Sequence, residues 1–351
     1  MKLKDYLKIN KVTNKTFANL LKVTPVSLSR YLNGDRLPEK EVLIKIYNLT
    51  EGFVSPNDFF LHGEKKYDVN ENDKEELKKF HHYILSGSRK YLGKAITLIE
   101  SSREKDQITS EGLLELFNGN DKSIRIGITG VPGVGKSTFI ESFGTYLVNK
   151  NYKLAILAID PSSNLTGGSI LGDKTRMSEI SKSQNTFIRS TPSKGSLGGV
   201  SYGTREASII LDAAGYDFIF IETVGVGQSE TMAANLVDIF TLIVGPGSGD
   251  ELQGIKKGIT EYADIFIVNK NDGDLKLQAS KTASDYKSAL SFYSKQDNQA
   301  AKEVLLVSSI EQQGMDSVID TINEIIKFNK LKKIFDLRRE NQLSYWIKEE
   351  I

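Results

Sequence analysis

Gly130-Val131-Pro132-Gly133-Val134-Gly135-Lys136-Ser137 decides the fold class of this 351-residue chain. The stretch follows the apolar run Ile124-Arg125-Ile126-Gly127-Ile128-Thr129 and leads into Thr138-Phe139-Ile140-Glu141-Ser142-Phe143. G-x-x-x-x-G-K-S between a buried strand and a helix start is the context of a phosphate-binding loop. Glycines let the backbone curl until successive N–H groups point inward, and the helix adds the positive end of its dipole. An ordinary glycine-rich turn is the competing reading, and the flanking strand and helix argue against it. Gly130, Gly133, Val134, Gly135, Lys136, Ser137 and Thr138 are thus candidate nucleotide-binding residues. Lys136 is placed to reach the β- and γ-phosphates, and the Ser137 hydroxyl to ligate Mg²⁺.

Outward from this loop, strands alternate with helices through residues 123–330, which predicts an α/β fold with a doubly wound, mostly parallel sheet. Ligands of such sheets sit beyond the carboxyl ends of the strands, where every further candidate falls. Lys153–Ile159 is a strand ending at Asp160, a carboxylate able to reach Mg²⁺ or to orient the attacking water. Residues 166–177 hold Gly167-Gly168 and Asp173-Lys174-Thr175-Arg176 and read as a switch that orders around the γ-phosphate and metal. Asp173 either assists there or pairs with Lys174 or Arg176 at the surface. Tyr216–Ile221 reads as the third strand, closed by Glu222, an acid placed to hold Mg²⁺. Gly225 then offers a backbone N–H to the γ-phosphate, with Gln228 a weaker choice for orienting water. Lys136, Asp160, Asp173 and Glu222 form the expected catalytic set. Ser137 joins the three carboxylates as the expected metal set. Ile265–Val268 delivers Asn269-Lys270-Asn271-Asp272, the N-K-x-D pattern. The carboxylate of Asp272 accepts from N1–H and the exocyclic amine of guanine, donors that adenine lacks. A backbone N–H near Ser308, past the next strand, meets guanine O6. GTP or GDP with Mg²⁺ is the expected ligand.

Composition narrows the class further. The chain is 39% hydrophobic and 26% charged with a net charge of +1, so it is globular and carries no overall polyanion signature. No apolar run is long enough to span a bilayer, and Met1-Lys2-Leu3-Lys4-Asp5 is not a secretory start. Cysteine is absent, which excludes disulfides and thiolate metal sites and predicts a cytoplasmic location without membrane partners. His62, His81 and His82 all precede the phosphate loop, so no imidazole serves the nucleotide chemistry. His81 and His82 read as surface or packing residues.

The first thirty residues differ in charge, with Lys2, Lys4, Lys8, Lys11, Lys15, Lys22 and Arg30 against Asp5 alone. Residues 13–23 read as a short helix with Phe17, Leu20 and Leu21 inward. A turn at Lys22-Val23-Thr24 precedes a second helix that starts at Pro25 and stops at Asn33-Gly34, and a further helix runs from Glu41 to Leu49. Two short helices about a tight turn are helix-turn-helix geometry. Thr16–Gly34 resembles the Cro/repressor family, and Ile46–Phe60 is similar to the end of phage Cro-like members. That resemblance implies DNA binding, with Thr24, Val26, Ser27 and Arg30 facing the major groove and Lys15 and Lys22 touching phosphates. A fold kept only for packing or protein contact is the alternative. Polar residues 62–73 read as a linker. Helices at Lys74–Leu85, Ser88–Glu100 with Leu92, Ile96 and Ile99 on one side, and Ser110–Asn118 read as a collar on the nucleotide domain.

Taken together, Gly130–Thr138, Ala158–Ser163, Ser169–Met177, Glu222–Glu230, Gly249–Gly258 and Ala95–Glu100 resemble the MeaB/ArgK/MMAA family. The resemblance spans roughly residues 74–346 and implies a P-loop GTPase that hydrolyses GTP to GDP and phosphate. It further implies a chaperone for an adenosylcobalamin-dependent acyl-CoA mutase, chiefly methylmalonyl-CoA mutase, gating cofactor loading and protecting the enzyme. Cobalamin sits on the partner in that case, since no D-x-H-x-x-G motif is present. Gly249–Glu261 is then either a further switch or a helix covering the sheet. A homodimer is implied as well, although family members pair through a longer helical arm than the one ending here at Ile351. Ser193-Lys194-Gly195 replaces the Ser-Arg-Gly more usual in the family, which keeps the charge and loses the bidentate fork. Two rival functions are a DNA-binding regulator that senses nucleotide and a kinase of a transport system. The domain expectation is 1–61 helix-turn-helix, 62–73 linker, 74–122 collar, 123–330 P-loop GTPase domain and 331–351 helical tail.

Overall fold

The computed structural model describes residues 3–33, 36–50, 52–54, 59, 71–117, 122–160, 177–192, 202–223, 228–247, 257–291 and 302–350. Two compact units divide the chain, residues 1–74 with 343–351, and residues 75–342.

The first unit contains α1 (Leu3–Ile9), α2 (Asn14–Leu21), α3 (Pro25–Asn33) and α4 (Lys40–Leu49). The hydroxyl of Thr13 starts α2 by accepting from the N–H of Thr16 at 3.2 Å. The helix stops where Lys22 turns left-handed at φ 58° and its N–H bonds back to Asn19 O. The same device starts α3, where the Thr24 hydroxyl accepts from Ser27 N–H at 3.1 Å and lies 2.9 Å from the Ser27 hydroxyl. Pro25, whose missing N–H costs nothing in a first turn, follows the cap. Leu3, Leu7, Phe17, Leu21, Leu28 and Ile46 meet in a core of their own. Leu20, expected inside, is 54% exposed, and Ala18 is buried instead. The inward stripe of α2 therefore runs 17, 18, 21, one position round from the expected 17, 20, 21. Gly34, the expected stop of α3, lies outside the described residues.

Next along the chain come α5 (Glu71–Leu85), α6 (Arg89–Glu100) and α7 (Glu104–Glu115). Two boundaries differ from expectation. The helix α5 begins at Glu71, inside the expected linker, and α7 begins at Glu104 rather than Ser110, with Glu104 and Asp106 favouring the dipole of its first turn. Leu92, Ile96 and Ile99 are buried as expected. His81 stacks on the Phe117 ring with centroids 5.3 Å apart, a packing role.

The sheet is built from β1 (Ile124–Thr129), β2 (Leu154–Asp160), β3 (Thr186–Pro192), β4 (Phe218–Glu222), β5 (Ile239–Val244), β6 (Ile265–Val268) and β7 (Glu303–Leu306). Its order is β3-β2-β4-β1-β5-β6-β7, and every pairing is parallel. The crossovers include α8 (Lys136–Asn149), α9 (Tyr202–Ala213), α10 (Gln228–Ala234), α11 (Lys257–Tyr262) and α12 (Lys276–Leu290), with α13 (Met315–Leu331) and α14 (Ile334–Glu350) after β7. The strand alternation of Ile126, Ile128, Phe218, Phe220, Ile265 and Ile267 packs with Phe139, Phe143 and Ile140 of α8 and Ile322 of α13. On the other alternation, the Phe266 ring lies 5.8 Å from that of Tyr286 in α12. Burial on both faces explains why the strands read as continuous apolar runs. Gly144 lets α8 approach closely, since a Cβ there would fall 2.2 Å from Ile180. The strands β3 and β5 extend the expected set. Among the described residues no helix is long and apolar enough to cross a membrane.

Candidate functional site

The sheet brings the candidate residues to one edge. In register, Ile128 of β1 and Ala158 of β2 both stand beside Glu222, while Thr129 pairs with Leu242 of β5 and Val244 with Val268 of β6. The phosphate-loop sequence thus leaves the central strand between the acid on one side and the Asn-Lys-x-Asp segment on the other.

The loop's glycines are demanded by geometry. Gly130 has φ 150°, and a Cβ there would fall 2.3 Å from Ile243 O, so only glycine passes under β5. Gly135 caps α8 at φ 94°, and a Cβ there would lie 2.7 Å from Asn269 Nδ2. Lys136 Nζ donates to Gly130 O at 2.7 Å, folding its ammonium over the loop. The Ser137 hydroxyl donates to Glu222 Oε1 at 3.3 Å, which brings two expected metal ligands together. Val134 points its side chain into the core, leaving only its backbone to a ligand, and Thr138 is exposed on the first turn of α8.

Base-recognition residues are tied to the loop by direct bonds. The buried amide of Asn269 donates from Nδ2 to Val134 O at 3.0 Å, and its Oδ1 accepts from the Ser309 hydroxyl at 2.7 Å and from Ser309 N–H at 3.2 Å. Lys270 Nζ donates to Gly133 O at 2.8 Å, laying its stem across the loop. The Ser308 hydroxyl donates to Asp272 Oδ2 at 2.5 Å and accepts from Glu311 N–H. Ser308 N–H itself goes to Gln313 O at 3.1 Å, so the residue meets the site through its hydroxyl.

Other expectations fall elsewhere. Asp160 closes β2, and its side chain lies outside the described part. Asp173, Gly225, the 166–176 switch, Ser193-Lys194-Gly195 and residues 249–256 also lie outside the described residues, as does the Gln228 side chain. Ser309, Thr129 and Thr223 are additions. The Thr223 hydroxyl, next to Glu222, donates to that of Thr129 at 2.9 Å, and both residues are buried. The pair braces the acid's strand end against the strand that feeds the phosphate loop. Threonine at the end of an apolar strand is the sequence signal for such a brace, and it is shared with many ordinary strand ends.

The hard-oxygen pair of Ser137 and Glu222 suits Mg²⁺, which is usually held by few protein ligands together with phosphates and water. Among the described residues no group of three or more His, Asp or Glu is close enough to form a closed metal cage, which agrees with that mode.

An all-parallel sheet, a phosphate loop after its central strand, an acid on the neighbouring strand and an Asn-Lys-x-Asp segment bonded to the loop define a P-loop GTPase. A family model described as methylmalonyl Co-A mutase-associated GTPase MeaB matches residues 92–351, and the chain belongs to that family. It is similar to GTPase ArgK of Escherichia coli, with 42% identity over 274 residues covering 76% of this chain and 81% of the relative. It is similar also to the methylmalonic aciduria type A homolog, mitochondrial, of Caenorhabditis elegans, 40% identical over 297 residues that cover 80% and 74% of the two chains. A crystal structure described as LAO/AO transport system kinase superposes with a TM-score of 0.66 at 33% identity, covering 80% of this chain and 84% of that one. The chain is therefore a guanine-nucleotide-binding enzyme that hydrolyses GTP to GDP and phosphate.

Proposed function

We propose that this GTPase holds GTP with Mg²⁺ and acts as a chaperone for an adenosylcobalamin-dependent acyl-CoA mutase of the methylmalonyl-CoA type, gating cofactor loading and protecting the enzyme. The observation that carries the reading is the match of residues 92–351 to a family whose own description is mutase-associated. A homodimer belongs to the same proposal.

In this mechanism Lys136 moves its ammonium from Gly130 O to the β- and γ-phosphates, and the loop's N–H groups and the start of α8 take the remaining charge. Ser137 and Glu222 hold Mg²⁺, which supplies charge neutralisation between the phosphates. Asp160 and Asp173 complete that set or orient water, and Gly225 N–H meets the γ-phosphate. Asn269 keeps the base segment against the loop while Asp272 accepts from the guanine edge. Catalysis on this scheme is positioning and charge stabilisation, so turnover is slow alone and rises when a partner orders the switches. Phosphate release measured with and without the mutase tests it. Turnover should climb to a plateau as mutase is added, and a rate indifferent to saturating mutase would end the chaperone reading.

A second reading is a DNA-binding regulator, in which residues 1–61 bind DNA and nucleotide state sets the occupancy. A helical unit with its own core and an excess of exposed lysines favours it.

A further inference from the structure

The helix α3 has nine residues, and Leu28 and Tyr31 are its buried positions. Val26, Ser29, Arg30 and Asn33 are all exposed. Their spacing, i, i+3, i+4 and i+7, places them along one face of the helix. That face carries methyl groups, a hydroxyl, a guanidinium and a carboxamide, and no acid. These are the groups that match the base edges of the major groove, a cleft wide enough for an α-helix. Around it, Lys4, Lys8, Lys11, Lys15 and Lys22 are exposed, with Asp5 as the single acid through Asn33. Glu39, farther along, pairs with Arg36 at 3.1 Å. Charge complementarity therefore selects a polyanion. The Thr24 and Ser27 hydroxyls are bonded to each other at the helix start, which commits them to the cap rather than to bases.

Resting on the second reading above, we infer that Val26, Ser29, Arg30 and Asn33 form a base-reading stripe for duplex DNA. Lys15, in the first turn of α2, and Lys22, the residue that turns the chain toward α3, contact the phosphates. Val26, 63% exposed, packs on a thymine methyl. Arg30 takes O6 and N7 of guanine, Asn33 takes N6 and N7 of adenine, and Ser29 accepts either. The preferred site accordingly contains guanine and adenine at fixed spacing, with thymine on the Val26 side.

Selection from random duplexes by the full-length chain, followed by affinity measurements over a salt series, tests this. The expected result is an enriched site with those bases. Arg30→Ala and Asn33→Ala should each lower affinity for it about ten- to a hundredfold while leaving a scrambled duplex unaffected. Arg30→Lys should keep scrambled affinity and lose the guanine preference, which separates readout from folding. The double variant Lys15→Ala/Lys22→Ala should weaken both duplexes equally and flatten the salt dependence. Salt-dependent duplex binding with no enriched sequence, or an enriched site indifferent to Arg30→Ala and Asn33→Ala, overturns the stripe and leaves DNA binding standing. No duplex binding at low salt, whether or not vesicles of phosphatidylserine are bound, overturns both.

Discussion

Lys136 and Asp272 divide the residue-scale chemistry between charge and identity. The ammonium 2.7 Å from Gly130 O needs only a rotation about its stem to face a phosphate, because the loop holds that stem in place. Lys136→Ala should lower GTP turnover about a hundred- to a thousandfold, the scale for losing one preorganised charge-stabilising donor, as read by phosphate release. Asp272 is oriented by the Ser308 hydroxyl, so its second oxygen and remaining lone pairs face outward to a base. Asp272→Asn replaces an acceptor by a donor. It should weaken GTP binding by about a hundredfold or more and favour xanthosine triphosphate, whose C2 oxygen accepts where guanine donates. Competition binding of the two nucleotides checks it. Both residues are legible in sequence because their chemistry fixes their type. The brace between Thr223 and Thr129 is not, because its meaning lies in two strands becoming neighbours.

At the scale of elements, the entrance edge of the sheet is closed by α14. Asp238, buried ahead of β5, accepts from Arg339 Nε and Nη2 at 2.8 Å each and from Arg125 N–H at 2.8 Å. Arg338 takes both oxygens of Asp264, at 3.1 and 3.0 Å, and Gln342 donates to Val237 O at 2.7 Å. Arg339 also lies over the Phe335 ring at 4.3 Å. Removing one partner of a buried pair strands the other, so Asp238→Ala should cost about 3–5 kcal/mol of stability in denaturant unfolding. Burial works to raise the Asp238 pKa, yet Arg125 and Arg339 hold it below the usual carboxylate value. Its stabilisation is therefore complete above the unfolded carboxylate pKa, about 3.9, and is lost as pH falls through the lower folded value. Asp238→Asn should remove that component and flatten the acid limb of the unfolding profile.

The same elements mark where sequence reading stops. The edge strand β3 carries Arg189 in its middle, which looks unlike a strand until Glu100 and Thr97 of α6 accept from it. The run of β5 is apolar enough, but it ends in Val244-Gly245-Pro246-Gly247 with no polar group to draw notice. The outward turn of Leu20 was equally hidden, since both candidate stripes of α2 are apolar and only the packing of α2 in the first unit's core chooses between them.

For the molecule as a whole, a net charge of +1 conceals a basic first unit joined to a near-neutral enzyme. The family match begins at residue 92, so the first unit stands outside it. If nucleotide state governs DNA occupancy, affinity for a selected duplex should differ between GTP- and GDP-loaded protein. Equal affinities would mean zero coupling between the sites. Hydrolysis rather than kinase chemistry predicts that the γ-phosphate appears wholly as free phosphate when candidate acceptor proteins are present, which labelled GTP reveals. The most direct measurement is nucleotide competition on the full-length chain with Mg²⁺, displacing labelled GDP with GTP or ATP. GTP should displace the label at far lower concentration than ATP, and Asp272→Asn should erase that difference. Equal potency of ATP and GTP, or displacement unaffected by Asp272→Asn, would contradict a guanine site built on these residues.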